Sequence, residues 1–352
     1  MLFSETISEI LKVKYPIIQA PMFGVSTPEM VEAAAKAECL GSLALADLSA
    51  EKSVELIRKT KSLTNRPFAV NIFVHQIPEI TDELKQQYSK TKKHLENLAQ
   101  ENNMEVHLPE LESLKINSYH EQIDAIIDEN CKILSFTFGN LDHQNIQKLK
   151  DNGTILIGTC TSVEEALALE KSGIDIICVQ GIEAGGHRGS FVSENIPQVG
   201  GFSLLSQVYD SVKVPLIYAG GIYNGKTLAA AKQLGAEGVQ VGSILLSSHE
   251  SALKEFEKER LKNIYEKDII LTKSFSGRYA RGIKNKFIET IENSEYILPY
   301  PYQNKLTGEM RRIARTVKNN EFVNLWVGQS IVNYSELSTQ DILEKLIQEY
   351  SY

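Results

Sequence analysis

Residues 215–243 read PLIYAGGIYNGKTLAAAKQLGAEGVQVGS: an apolar run, a glycine pair, a helical pattern and a second apolar run ending in glycine. Two architectures share this order. Gly220-x-x-x-x-Gly225-Lys226-Thr227 formally matches the phosphate-binding loop of nucleoside triphosphatases. The same residues also make one unit of a parallel β/α array, in which paired glycines let the backbone approach some other phosphate. The remainder of the chain separates the two readings.

Apolar runs recur with helical patterns between them: PIIQA (16–20), GSLALA (41–46), FAVNIFV (68–74), ILSFTF (133–138), TILIG (154–158), IDIICVQ (174–180), VPLIYA (214–219) and GVQV (238–241). They are apolar on consecutive positions, as strands covered on both faces are. Helix starts fall between them. Thr27-Pro28-Glu29 offers a cap, an early proline and an acid, and Thr161-Ser162-Val163-Glu164 has a capping-box pattern. KSGIDIICVQG (171–181) and QLGAEGVQVGS (233–243) share a helix end, a tight turn and a strand. Eight such units predict a closed (β/α)8 TIM barrel, although an open doubly wound sheet leaves similar traces.

A triphosphatase would also need an acid closing a later apolar strand. After Thr227 only GVQVGS offers a strand, with no acid at its end, and LALAD, ending at Asp47, precedes the loop. The P-loop reading therefore lacks its context.

Two segments stand outside the repeat. Residues 75–130 are rich in Lys, Glu, Gln and Asn and too long for a simple loop, and residues 265–352 follow the eighth unit with aromatic, proline-rich and helical patches. The expected division is a barrel from 1–74 plus 131–264, with 75–130 plus 265–352 forming a smaller, mainly helical lid or substrate region over the C-terminal face. The last amphipathic helix is expected near 340–348.

The bulk properties narrow the partners. A net charge of −8 across 352 residues, with 37 Lys and Arg, gives no sign of a basic nucleic-acid face. No apolar stretch is long enough to span a bilayer, and the N-terminus lacks the pattern of a secretory signal. Cys39, Cys131, Cys160 and Cys178 are scattered, and the seven histidines show no metal-binding spacing. A small-molecule partner, no metal and a reducing cytoplasmic setting are expected. The assembly stays open, a homodimer included.

The densest chemical signal is VQGIEAGGHRGSF (179–191), where Gly181, Gly185, Gly186 and Gly189 surround an acid, a histidine and an arginine after the sixth strand. Barrel enzymes place their sites at this end of the strands. His187 there could accept a proton from a carbon acid or hydrogen-bond a developing anion, the bland alternative being an orienting role. Gly220-Gly221 and Gly242-Ser243 end the seventh and eighth strands, where barrels often bind phosphate; ordinary tight turns are the other reading. Asn71, Gln180 and Gln240 are carboxamides on strands, suited to the edge of a heteroaromatic ring or to hydrogen bonding within the core. Met22 in QAPMFG could pad such a ring or be simple core. Phosphate site, amides and a lone histidine together suggest a barrel that binds flavin mononucleotide, FMN.

At this point QAPMFGVSTPEM (19–30), VNIFV (70–74), VQGIEAGGHRGSF, YAGGI (218–222), VQVGS (239–243), FSGRYARG (275–282) and YPYQNKLT (300–307) resemble the bacterial class I nitronate monooxygenases, formerly 2-nitropropane dioxygenases. The motifs occur in family order from near residue 15 to near residue 330. The resemblance implies noncovalent FMN held by Met22, Asn71, Gln180, Gly185, Gly186, Gly220, Gly221, Gln240, Val241, Gly242 and Ser243, with His187 as the active-site histidine. It implies oxidation of alkyl nitronates, notably propionate 3-nitronate, by O2 to a carbonyl compound and nitrite or nitrate, in a detoxifying role. Tyr300 and Tyr302 are candidate substrate neighbours, or lid packing. Ser243 stands where threonine is frequent, and Tyr279 where proline is. The related flavin enoyl-acyl-carrier-protein reductases share the AGGH element and are the nearest alternative.

Overall fold

The first candidate strand is extended only over Ile17–Gln19, designated β1, and it pairs in parallel with the last of the eight runs rather than with its neighbour in sequence. In chain order there follow β2 (Gly41–Ala46), β3 (Phe68–Phe73), β4 (Ile133–Thr137), β5 (Ile155–Cys160) and β6 (Ile176–Gln180). After them come the two-residue β7 (Gly186–His187), then β8 (Leu216–Ala219), β9 (Gly238–Val241), β10 (Ile269–Thr272) and β11 (Ala280–Ile283). The computed structural model describes residues 5–193, 195–330, 334 and 336–351.

Eight strands form one parallel sheet in the order β1-β9-β8-β6-β5-β4-β3-β2. The sheet closes on itself, because Gln19 N donates to Leu40 O at 2.9 Å and Leu40 N to Ile17 O at 3.0 Å. All eight sequence runs are barrel strands, and the fold is a (β/α)8 barrel. Its lower interior is filled by Ile18, Leu40, Ala69, Ile133, Ile157, Ile176, Cys178 and Ile217, and helix Glu5–Leu11 adds Ile7 and Leu11 to this cluster. Branched apolar residues pack such an interior densely, so the barrel is a core and not a pore. Gln19 is fully buried at the closure: its Oε1 accepts from Ser42 N at 3.0 Å and its Nε2 donates to Ser26 Oγ at 2.9 Å. That carboxamide ties strand β1, strand β2 and the QAPMFG loop together.

Local capping works as the sequence proposes, with one shift. Thr27 Oγ1 accepts from Met30 N at 3.1 Å, behind Pro28 in the first turn. In the TSVE stretch the cap is Ser162, not Thr161, and Glu165 rather than Glu164 reaches back to Thr161 N at 2.6 Å. Asn224 and Thr227 form a reciprocal capping box at the start of helix Gly225–Gln233. Thr227 of the apparent P-loop is thus a helix cap, and Gly225 is needed for packing: a Cβ there would stand 2.3 Å from the backbone of Glu349.

The second cluster of apolar side chains lies outside the barrel. Leu84, Tyr88, Leu95 and Leu98 of helix Asp82–Glu101 pack with Phe275, Phe287, Leu306 and Met310 of the C-terminal region. Two segments of the expected lid therefore share a core. Two of its expected boundaries do not hold. Helix Tyr119–Asp128 packs Ile123 and Ile126 into the barrel layer beside β3, so the end of the 75–130 segment belongs to the barrel. Helix Thr339–Ser351 packs against helices Pro28–Lys36 and Gly225–Gln233, placing Ile342, Leu343 and Leu346 in the same layer. It stands in the place of the eighth barrel helix, and the lid is inserted between strand β9 and that helix. Within 265–352, residues 331–333, 335 and 352 lie outside the described residues.

Candidate active site

The C-terminal ends of the strands open into a cavity of about 320 Å³, roofed by the lid. This volume lies at the lower end of the range of small-molecule sites. Met22, Asn71, Gln180, Gly185, Gly186, His187, Gly220, Gly221, Gln240, Gly242, Ser243 and Tyr300 all line it. Two expected residues do not. Val241 is buried in the layer between strands and helices, because successive strand residues point to opposite faces and Gln240 takes the inward one. Tyr302 donates its hydroxyl to Pro78 O at 2.6 Å inside the lid core; of the earlier alternatives, lid packing is the outcome.

One end of the cavity is built from bare backbone. Gly220 and Gly221 have φ of 127° and 68°, in the left-handed range. Ser243 opens a short 3-10 turn, and its Oγ accepts from Gly328 N at 2.9 Å. Gly185 lies so close to this segment that a Cβ would meet Gly328 N at 2.5 Å. Ser330 Oγ donates to Gly221 O at 3.3 Å. Small residues from four segments thus leave amides and hydroxyls around one space, a donor set suited to an anion such as phosphate.

Glu183 braces this end from behind. Its carboxylate accepts from Gly201 N at 3.0 Å and takes a short hydrogen bond from Tyr218 Oη. Burial, followed by the Glu183 charge and hydrogen bond, holds the Tyr218 phenol far above its ordinary range. A Cβ at Gly201 would collide with Tyr218 Oη, so glycine at the start of helix Gly201–Ser211 is a steric requirement of the brace.

The other end surrounds His187. Gln180 holds its loop, with Nε2 donating to His187 O and Oε1 accepting from Gly189 N, both at 2.9 Å. Strand β11 then takes His187 and Gly186 as an added antiparallel strand, pairing Ala280 with His187. The His187 ring meets Phe138 edge-on at 5.4 Å and Trp326 at 5.5 Å between centroids. Its Nε2 lies 2.8 Å from Ser276 Oγ, which is also 3.0 Å from Arg278 O. A hydroxyl has one proton to give. When Ser276 gives it to Arg278 O, His187 is protonated on Nε2 and its Nδ1 carries the lone pair.

The site is also electropositive. Burial, then the charges of Arg278 and Arg311, depress the His187 pKa to about 3. His187 is therefore a neutral imidazole at physiological pH. Arg278 lies 4.4 Å from the centroid of Phe138 and donates to Ser190 O at 3.1 Å. Arg311 and Arg315 reach the cavity from helix Tyr302–Thr316. Among the described residues no group of three His, Cys, Asp or Glu side chains is placed to hold a metal ion.

Several site residues were not identified from sequence. Ser276, Asn304, Arg311, Asn324, Trp326, Gly328 and Ser330 all come from the lid region. A glycine rule like the one applied at 185–189 would have flagged LWVGQS (325–330), where Gly328 and Ser330 flank the anion cradle. No spacing signal marks Arg311 against the neighbouring Arg312, which points outward to Glu309.

A parallel barrel with an anion cradle, inward carboxamides and an enclosed histidine at its C-terminal face defines a ligand-binding barrel of the enzyme type. Comparison with known proteins then specifies the family. The family model for nitronate monooxygenase matches residues 4–349, and the chain belongs to that family. A probable nitronate monooxygenase of Staphylococcus saprophyticus is 36% identical, over 99% of this chain and 98% of the relative. One from Staphylococcus aureus is 38% identical, over 92% and 91%. Among solved structures, nitroalkane oxidase from Streptomyces ansochromogenes superposes with a TM-score of 0.88 at 32% identity, covering 99% of this chain and 98% of that one. FabK from Thermotoga maritima gives 0.75 at 25% identity, covering 98% and 96%. Among the described residues, no helix is long and apolar enough to cross a membrane.

Proposed function

We propose that the chain is an FMN-dependent nitronate monooxygenase that oxidises alkyl nitronates such as propionate 3-nitronate with O2, giving a carbonyl compound and nitrite or nitrate. The residues present fit FMN. Glycines where a Cβ would collide or φ is positive, together with Ser243, suit its phosphate, while Asn71 and Gln240 face inward with amides for a ring edge. When bound, FMN supplies the one-electron acceptor chemistry and the reaction with O2, which no side chain in the cavity can provide.

The carrying observation is a neutral His187 beside fixed positive charge. A histidine whose pKa is driven down to about 3 is a poor base toward a neutral nitroalkane. The same arginines that depress it attract an anion. The site is thus suited to receive a nitronate already deprotonated, with the neutral His187 ring packed beside the substrate rather than ionising it. Phe73, Phe138 and Trp326 pack around the histidine ring, and Tyr300 packs on Phe138 behind them, giving the substrate an apolar surround.

A detoxifying, cytoplasmic role belongs to the same reading. All four cysteines are free and buried, at home in a reducing compartment. The test is a visible spectrum of the purified protein, followed by oxygen consumption with propionate 3-nitronate. Flavin absorption with nitronate-dependent O2 uptake is expected. Rapid anaerobic bleaching by NADPH with no response to the nitronate would instead assign the chain to the enoyl-acyl-carrier-protein reductases.

A further inference from the structure

Helix Tyr302–Thr316 brings Asn304, Arg311 and Arg315 to the cavity, and their charges are not balanced alike. Arg315 Nε donates to Glu257 Oε1 at 3.0 Å, a carboxylate that is itself buried. Lys305, on the same helix, is paired with Asp47 at 2.7 Å. Arg311 has only neutral partners. Its Nη2 donates to Asn304 O at 2.7 Å and Asn304 Oδ1 at 2.8 Å, and its Nε to Thr307 O at 3.3 Å. Nη1 has a single long contact, 3.4 Å to Asn324 Oδ1. Among the described residues no carboxylate lies within 4.0 Å of this guanidinium.

A guanidinium has five N–H groups in a fixed fork, and the Nη1 corner of this one is the least satisfied. Burial lowers the Arg311 pKa to about 10, which leaves it charged at neutral pH. An enclosed cation with no carboxylate in contact, Asp47 acting on it only from beyond pairing distance, is costly, and a bound anion offsets that cost.

Position decides which anion. Asn324, which touches Nη1, is followed by an extended run bonded to strand β11 through Ile283 N to Leu325 O at 2.9 Å and Val327 N to Arg281 O at 3.2 Å. That run ends at Gly328, on the Ser243 hydroxyl of the phosphate cradle. Four extended residues span about 13 Å. Arg311 therefore faces the far end of the cavity from the cradle. It stands on the His187 side, where Trp326, between Asn324 and Gly328, meets the histidine ring at 5.5 Å.

We propose that Arg311 is the substrate-anion anchor, its Nη1 edge taking the negatively charged oxygens of the nitronate, with Asn304 and Asn324 as positioning residues that hold the fork. The proposal rests on the nitronate reading for the substrate, but not for the anion. Nitrite is a suitable probe because it presents the same pair of oxygens on nitrogen. The chain has one tryptophan, Trp326, and it lines the cavity, so its fluorescence in the flavin-loaded protein reports binding.

Wild type is expected to bind nitrite saturably. In Arg311→Gln, the nitrite Kd and the KM for propionate 3-nitronate are expected to rise roughly tenfold to hundredfold, with kcat changed far less and FMN content unchanged. Arg311→Lys restores part of the affinity. Asn324→Asp places a carboxylate against the guanidinium and should reproduce the loss without removing the arginine, which covers the case in which Arg311→Gln does not fold. Equal nitrite affinity in wild type, Arg311→Gln and Asn324→Asp overturns the proposal, as does an absence of nitrite binding by wild type. Loss of FMN with unchanged nitrite affinity in the retained holoprotein also overturns it, and assigns Arg311 to the cofactor phosphate. Arg311-dependent nitrite binding without turnover of any nitronate leaves the anchor standing and removes the nitronate reading.

Discussion

His187 Nε2 lies 2.8 Å from Ser276 Oγ, across 89 residues of sequence. The histidine belongs to a barrel loop and the serine to the turn between β10 and β11, so the lid itself orients the ring. The pairing of Ala280 with His187 adds a backbone restraint to the side-chain one. Barrel loop and lid thus hold His187 as one unit.

Ser276→Ala removes the side-chain half of that unit. Misplacing a positioning group by about 1 Å can cost a hundredfold, so kcat/KM for the nitronate is expected to fall roughly tenfold to hundredfold. Steady-state oxygen uptake measures this, alongside a flavin spectrum that should be unchanged. A well-folded variant with wild-type kcat/KM would show that Ser276 does not orient the histidine.

His75 supplies a pH dependence of stability. Both of its ring nitrogens are buried without a hydrogen-bond partner, and burial lowers its pKa from 6.5 to about 4. Between those values the unfolded chain binds the proton more readily than the folded one. Stability therefore falls as the pH drops from 6.5 toward 4. At pH 5 this histidine is expected to cost on the order of 2 kcal/mol relative to pH 7. Urea unfolding of His75→Phe at the two pH values should show a smaller acid loss than wild type by that amount; an identical loss rejects the assignment.

Gly185 and Gly186 are adjacent but constrained differently. Alanine at Gly185 would press its Cβ onto Gly328 N, whereas Gly186 has open space and a φ of 75°. Gly185→Ala is expected to cost about 1–3 kcal/mol and to loosen the cofactor, since it pushes the cradle apart. Gly186→Ala should cost about 1 kcal/mol of backbone strain. Chemical denaturation and flavin retention compare them, and equal flavin loss in both would contradict the steric reading.

Tyr300 and Tyr302 should separate cleanly. Removing the Tyr302 hydroxyl deletes its bond to Pro78 O, so Tyr302→Phe is expected to lose about 1 kcal/mol of stability with unchanged kinetics. The Tyr300 hydroxyl is buried and unpaired, and its ring lines the cavity. Tyr300→Phe should keep or slightly raise stability while altering the KM for the nitronate. Thermal melts and steady-state kinetics decide, and a kinetic defect confined to Tyr302→Phe would reverse the assignment.

Most of the barrel was legible because its signals are local. A strand buried on both faces must be apolar at consecutive positions, and a helix start must satisfy its own amides, as Thr27 and Asn224 do. The His187 loop stood out for a related reason: glycines flank a titratable residue there, and Gly185, Gly186 and His187 line the cavity. The one-residue shift from Thr161 to Ser162 shows the limit, since both hydroxyls fit the pattern and only Glu165 reaching back to Thr161 selects between them.

By itself, then, the sequence determined eight strands and their parallel β/α order, and it singled out the glycines and the histidine that line the cavity, all from patterns complete within a few residues. The tertiary structure alone decided that Thr339–Ser351 fills the place of the eighth barrel helix, and that Gly225 serves that helix rather than a triphosphate. It also decided that Arg311 rather than Arg312 faces the cavity and that Ser276 holds His187. These assignments join segments far apart in the chain. They are set by which surfaces pack together when the lid closes over the barrel, and no spacing within either segment encodes that contact.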